Sequence, residues 1–137
     1  MSSHTWVRDQ LEIRSLIEAY SDGVTRRDPD AIMALWADDC RWSVPDMEGL
    51  EDVRGKAAIR ANFEAAQGLF TVTILVANPG NITIDGDSAT ARTYTTEVLE
   101  STKGEVRHAV GRYDDEFART DGKWLFTART WYMLYHL

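Results

Sequence analysis

With 137 residues, 44% of them apolar, the chain can build one domain with a real core but not two, and it is too hydrophobic for an intrinsically disordered segment. Its 22 acidic side chains against 15 basic ones give a formal charge of -7, which excludes a nucleic-acid backbone binder and disfavours docking on anionic membrane. The single cysteine, Cys40, cannot form an internal disulfide, no apolar run approaches the roughly 20 residues of a spanning helix, and Met1-Ser2-Ser3-His4-Thr5 shows no basic-then-apolar leader, so a soluble cytoplasmic domain is expected.

Residues 5–24 are predicted as a helix, because Ile13, Leu16, Ile17, Tyr20 and Val24 recur at helical spacing while Arg8, Glu12, Arg14 and Glu18 fill the other faces. Asp28-Pro29 starts a second helix, an acidic cap followed by proline, with Ile32, Leu35 and Trp36 as its apolar face. Cys40 to Val44 alternates as a short strand that stops at Pro45, and the polar stretch from Asp46 to Arg54 is a loop. A third helix covers about 56–67, with Ile59 and Phe63 one turn apart. The rest is strand-like. Phe70 to Ala77 ends at the turn signal Asn78-Pro79-Gly80-Asn81, Ile82 to Ile84 leads into Asp85-Gly86-Asp87, and strands follow at about 88–99, 105–119 and 123–135. Helices segregated from meandering strands indicate an α+β domain spanning residues 1–137, a curved antiparallel sheet wrapped around N-terminal helices as a cone-shaped barrel with an internal pocket. Long strands curve through bulges, and Gly111 is the expected place for one.

Several side chains are candidates for chemistry in that pocket. Tyr113, Asp115 and Phe117 share one face at two-residue spacing, so a carboxylate facing an aromatic cavity is expected at Asp115, either as an acid-base group or as a partner for Arg129. Arg129, between Ala128 and Thr130, needs a carboxylate or an anionic ligand if its strand is core. His108 is the only histidine inside the fold; strict alternation turns it away from Tyr113, and a bulge at Gly111 would turn it back. Trp42, Tyr94, Tyr113 and Trp131 are candidate cavity walls or plain core. The histidines at 4, 108 and 136 have no metal-ligand spacing, so neither metal nor cofactor is expected. Cys40 has no basic neighbourhood and is read as a structural thiol.

A set of local motifs in order resembles a known family. Leu16-Ile17-Glu18-Ala19-Tyr20, Asp28-Pro29-Asp30, Leu35 through Trp42, Gly55-Lys56-Ala57-Ala58-Ile59, Ile84 through Ala89, Gly111 through Phe117 and Arg119 through Phe126 together resemble the SnoaL-like, polyketide-cyclase-like branch of the nuclear-transport-factor-two-like superfamily over essentially the whole chain. The resemblance extends to dehydrochlorinases, scytalone dehydratases and ketosteroid isomerases, and it implies a pocket role for Tyr20 and Arg129. It also implies a base pair of histidine and aspartate, but Thr25 stands at the aspartate position, and Leu75 or Val76 where the histidine would be. The ketosteroid isomerase base, a worked example of tuned acidity, would fall at Val44-Pro45 and is likewise absent.

Two functions are therefore expected in competition. One is a cofactor-independent enzyme that transfers protons on a small hydrophobic or polycyclic molecule, with Tyr20 and Arg129 as donors and His108 or Asp115 as base. The other is a binding or structural protein that has lost the base pair and kept the pocket. The final strand, Thr130 to Leu137, carries large apolar groups on both faces. A homodimer, or failing that a trimer, is expected through the outer sheet face, burying either Trp131, Met133 and Tyr135 or Tyr132 and Leu134. The resemblance implies the same kind of assembly.

Overall fold

The computed structural model describes residues 3–137; the Met1-Ser2 start lies outside them. Helix α1 (Ser3–Arg26) turns its stripe of Ile13, Leu16, Ile17, Tyr20 and Val24 into the core, where all five are buried. Helix α2 (Pro29–Met33) is a single turn, with Asp28 accepting from the Ala31 amide at 3.1 Å. It is shorter than the sequence pattern implies. Leu35 and Trp36 leave the helix because the Leu35 carbonyl accepts from the Phe126 amide, and Trp36 opens β1 (Trp36–Ser43), so that strand begins four residues before Cys40. Inside the expected loop, β2 (Val53–Arg54) pairs briefly with β1. Helix α3 (Lys56–Leu69) buries Ile59 and part of Phe63.

Four long strands follow: β3 (Phe70–Asp85), β4 (Ser88–Ser101), β5 (Val106–Thr120) and β6 (Lys123–His136). They form an antiparallel meander, and β1 joins it parallel to β6, giving the order β2-β1-β6-β5-β4-β3. The sheet is curved and open rather than closed into a barrel, with β2 and β3 as its two edges.

Asn78-Pro79-Gly80-Asn81 does not turn the chain. It is an irregularity inside β3, between Pro79 and Ile82. Because β3 is an edge strand, the missing Pro79 amide costs no ladder bond to a further strand. At Gly80 a Cβ would sit 3.3 Å from the Arg92 carbonyl oxygen, so glycine lets the two strands close across the irregularity. The bulge expected at Gly111 lies instead in β6: Val110 faces Tyr135 and Gly111 faces Met133, while the alternation of β5 itself continues unbroken.

Candidate active site on the concave face

A second shift in β6 decides which face Arg129 occupies. Trp124 and Phe126 point into the concave face, and plain alternation would send Arg129 outward. Between the pairs Glu116–Ala128 and Phe117–Phe126 the register slips by one residue, so Ala128 and Arg129 are both buried and Arg129 turns in beside Phe126. Arg129 lies directly across from Asp115 and is fully buried with it. The pair is bidentate, with Nε to Oδ1 at 2.7 Å and Nη2 to Oδ2 at 3.1 Å, and the Thr93 hydroxyl donates to Oδ2 at 2.6 Å. Asp115 thus does turn inward, but its oxygens are engaged by three donors. This is the partner role rather than that of a free base.

Three aromatic rings enclose the guanidinium: its carbon lies 3.8 Å from the Tyr113 centroid, 4.4 Å from Tyr20 and 4.5 Å from Phe126. Such contacts contribute about 2 kcal/mol or more when desolvated, which helps the charge survive burial. Burial disfavours the cation, yet Asp115 and Tyr113 together hold Arg129 above its usual pKa. Burial also raises Tyr113 well above the ordinary tyrosine value and raises Tyr20, with Arg129 opposing in each case. Both hydroxyls therefore stay protonated at neutral pH. Trp42 Nε1 donates to the Tyr113 hydroxyl at 3.0 Å, and the Tyr113 ring stands edge-on to Tyr20 with centroids 6.4 Å apart. The Nη1 of Arg129 and the Nε1 of Trp36 are buried donors with no protein acceptor among the described residues. Neutral hydroxyl donors backed by a fixed cation suit an oxygen that gains negative charge during a reaction.

The positions of the missing base pair are closed. Thr25 Oγ1 accepts from the Leu75 amide at 3.0 Å and donates to its carbonyl at 3.3 Å, pinning the end of α1 to the β3 edge, and the Leu75 side chain is buried core. Trp131 faces inward and donates to Thr95 Oγ1 at 3.0 Å, its indole lying over Gly111. Two expectations need correction. His108 lies on the outer face, because β5 alternates without interruption from Tyr113 through Gly111 and Ala109. Tyr94 is 43% exposed on the outer face of β4 and walls no cavity there.

Residues of this site outside the candidates drawn from the sequence include Trp36, Thr93, Thr95, Phe126 and Glu97. The run Ala89, Ala91, Thr93, Thr95 alternates with exposed neighbours and carries Glu97 on to the same inner side. Glu97 is partly buried, and burial raises its pKa, with Arg107 opposing. It makes no hydrogen bond or ion pair with any described residue, whereas Asp115 is engaged as above and Asp9, buried on α1, binds Arg119 at 2.6 Å and Trp124 Nε1 at 3.0 Å.

A groove of about 850 Å³ runs along the outer side between β1, β5 and β6, lined by groups such as Asp38, Arg54, Lys56, Glu116 and Lys123. Those flexible charges can be solvated and lack the desolvated, fixed geometry of the concave cluster. Among the described residues no three His, Cys, Asp or Glu side chains converge as a metal site, and no helix is long and apolar enough to cross a membrane.

The family model for the SnoaL-like domain matches residues 6–130. No curated protein matches the chain. Among solved structures it is similar to a hexachlorocyclohexane dehydrochlorinase, LinA type 2, with a TM-score of 0.88 and 19% identity over 99% of this chain and 92% of that one. A candidate scytalone dehydratase from Novosphingobium aromaticivorans superposes with a TM-score of 0.85 and 23% identity, covering 99% and 91% of the two chains. An NTF2-like protein with a cystatin-like fold from the same organism gives 0.80 and 27%, covering 95% and 84%.

Proposed function

The chain belongs to the SnoaL-like domain family, and on that premise we propose that it is a cofactor-independent enzyme that moves a proton on a small hydrophobic or polycyclic substrate, by elimination, isomerisation or cyclisation. The observation that carries this reading is the buried Arg129 with an uncommitted Nη1 beside two protonated tyrosines on the concave face. A substrate oxygen held by Tyr20, with the Arg129 charge behind it, gains stabilisation as it becomes an oxyanion, and removing one such donor typically costs about 100- to 1000-fold in turnover. The dehydrochlorinase and the candidate dehydratase are named for eliminations, which fall in this class. Cytoplasmic residence and a homo-oligomeric state belong to the same reading, the first supported by a lone buried thiol at Cys40.

A second reading has its own support: Thr25 and Leu75 are committed to each other where a base pair would be needed, which suits a protein that binds without turnover. Incubation and crystal soaks with aromatic polyketides, steroids and terpenoids separate the two. The enzyme reading expects conversion of at least one compound; a ligand bound on the concave face and recovered unchanged across the panel would favour the binder.

A further inference from the structure

Proton transfer needs an acceptor, and the residues first suggested by the sequence do not supply one. His108 faces outward and Asp115 is held by Arg129 and Thr93. Among the described residues, the carboxylates on the inner side of the sheet or the helix packed on it are Asp9, Asp115 and Glu97, and the first two are paired. Glu97 stands in one cross-strand row with Leu75 of β3 and Ala109 of β5. Ala109 is small enough to leave room over the carboxylate on that side, and Leu75 provides an apolar wall on the other. One step along β4, Thr95 accepts from the Trp131 indole, and a further step along, Thr93 donates to Asp115. A carboxylate and an oxyanion-stabilising cluster therefore share one concave surface with aromatic rings between them.

Resting on the proton-transfer reading above, we infer that Glu97 is the catalytic base, and that its substrate is an uncharged carbonyl compound with an acidic C–H next to the carbonyl. The Glu97 carboxylate takes that proton. The C–H electron pair becomes a C–C π bond, and the carbonyl π pair moves onto oxygen, where the Tyr20 hydroxyl and the Arg129 charge hold it. Where the substrate also carries a β,γ double bond, the carboxylic acid returns the proton to the γ carbon of the dienolate, the oxyanion pair re-forms the carbonyl and the double bond moves into conjugation, completing an isomerisation. Alternatively, the enolate pair expels a leaving group from the neighbouring carbon and the acid protonates it, completing an elimination. Either course regenerates Glu97 and needs no oxidant or other co-reactant. An uncharged substrate fits because a second anion would have to approach an unpaired carboxylate in a partly dehydrated site. The groups around Glu97 are Arg107 and Tyr113 on β5 and Tyr20 on α1, with His136 of β6 in the same row beyond Ala109; β3 brings the uncharged Thr73, Leu75 and Ala77. Burial keeps the carboxyl above its ordinary range, nearer the pH at which a base works.

Deuterium wash-in next to the carbonyl of β-tetralone in heavy water, followed by proton NMR, tests the assignment, with β-naphthol quenching of tryptophan fluorescence as a binding control. Wild-type protein is expected to accelerate exchange. Glu97→Gln should lose at least about 100-fold of that acceleration, in line with the 10²–10⁴ typical of a general base, while binding β-naphthol within a few-fold of wild type. Glu97→Asp should keep part of the rate, and the wild-type rate should fall on the acid side through a limb that Glu97→Gln lacks. If wild type exchanges and Glu97→Gln matches it, the base is elsewhere and the proton-transfer reading stands. If wild type does not exchange, both are overturned. Should Glu97→Gln fail to fold, as judged by circular dichroism, Glu97→Asp and the wild-type pH limb decide: a full rate in the first or no limb in the second refutes the assignment.

Discussion

Arg129 and Asp115 have no exposed surface through which water could solvate them, so each charge depends on the other. Removing one partner strands the second in a dehydrated site, which typically costs about 3–5 kcal/mol, whereas replacing both with apolar groups of similar volume is often neutral or stabilising. Arg129→Met and Asp115→Asn are each expected to lower urea stability by that amount, and the pair Arg129→Met with Asp115→Leu to recover most of it. Single variants within about 1 kcal/mol of wild type would mean that the pair is hydrated in solution. Glu97 carries a prediction about pH. Its carboxyl is raised in the folded chain by burial, so its favourable contribution is complete below the ordinary carboxyl value and disappears as pH rises through the elevated one. Glu97→Gln should match wild type at the acid end and exceed it in urea midpoint above that window; a constant or reversed difference contradicts the burial. Of the site side chains, Tyr20 could be read from the helical stripe and Asp115 from its spacing to Phe117. Glu97 was equally within reach of the alternation from Ala89 to Thr95. Its lack of a partner was not, because that depends on Leu75 and Ala109 from strands distant in sequence.

The elements explain which parts of the fold local pattern could and could not convey. Helix α1 was legible because its period is set by one buried stripe, and the hairpins at Asp85-Gly86-Asp87 and Asp121-Gly122 because their turns need the conformations those residues adopt, with Gly86, Asp121 and Gly122 all at positive φ. The two register shifts of β6 leave no residue signature. They arise from its pairing with β5, yet they turn Arg129 inward and put Tyr132 and Tyr135 together on the outside. Asn78-Pro79-Gly80-Asn81 carries a turn's residues but is absorbed into β3, since an edge strand tolerates proline and the tight approach to Arg92 calls for glycine. Gly111 has a related role: a Cβ there would fall within the Trp131 indole. Gly111→Ala must push that ring off Thr95, costing about 1–3 kcal/mol of overpacking, and should shift tryptophan emission to the red. Unchanged stability together with unchanged emission would mean that Trp131 does not rest there.

At the scale of the whole molecule, all three helices lie on the concave side, and no described helix covers the outer face of the β3–β6 sheet. That face presents Ile74, Val98 and His108 in one row, Val76, Thr96, Val110 and Tyr135 in the next, and Asn78, Tyr94, Arg112 and Tyr132 in a third. Ile74, Val76, Tyr94 and Tyr135 are each more than 40% exposed, so the apolar surface is continuous rather than scattered. The expected interface sets need revising, because Trp131 turns inward and the β6 shift brings Tyr135 beside Tyr132. A chain of net charge -7 repels its own copies at a distance, so association must rest on this apolar area and on local charge of both signs. Arg92, Arg112 and Asp114 supply both signs at one edge of the patch, and across a two-fold axis the arginines of one copy can meet the aspartate of the other. We propose a homodimer through this face, ahead of a trimer. Light scattering at micromolar concentration should give twice the 15.5 kDa chain mass, and Val76→Glu, which leaves the concave site untouched, should reduce it to one chain. A monomeric wild type refutes the proposal; a dimer that survives Val76→Glu moves the interface to another surface.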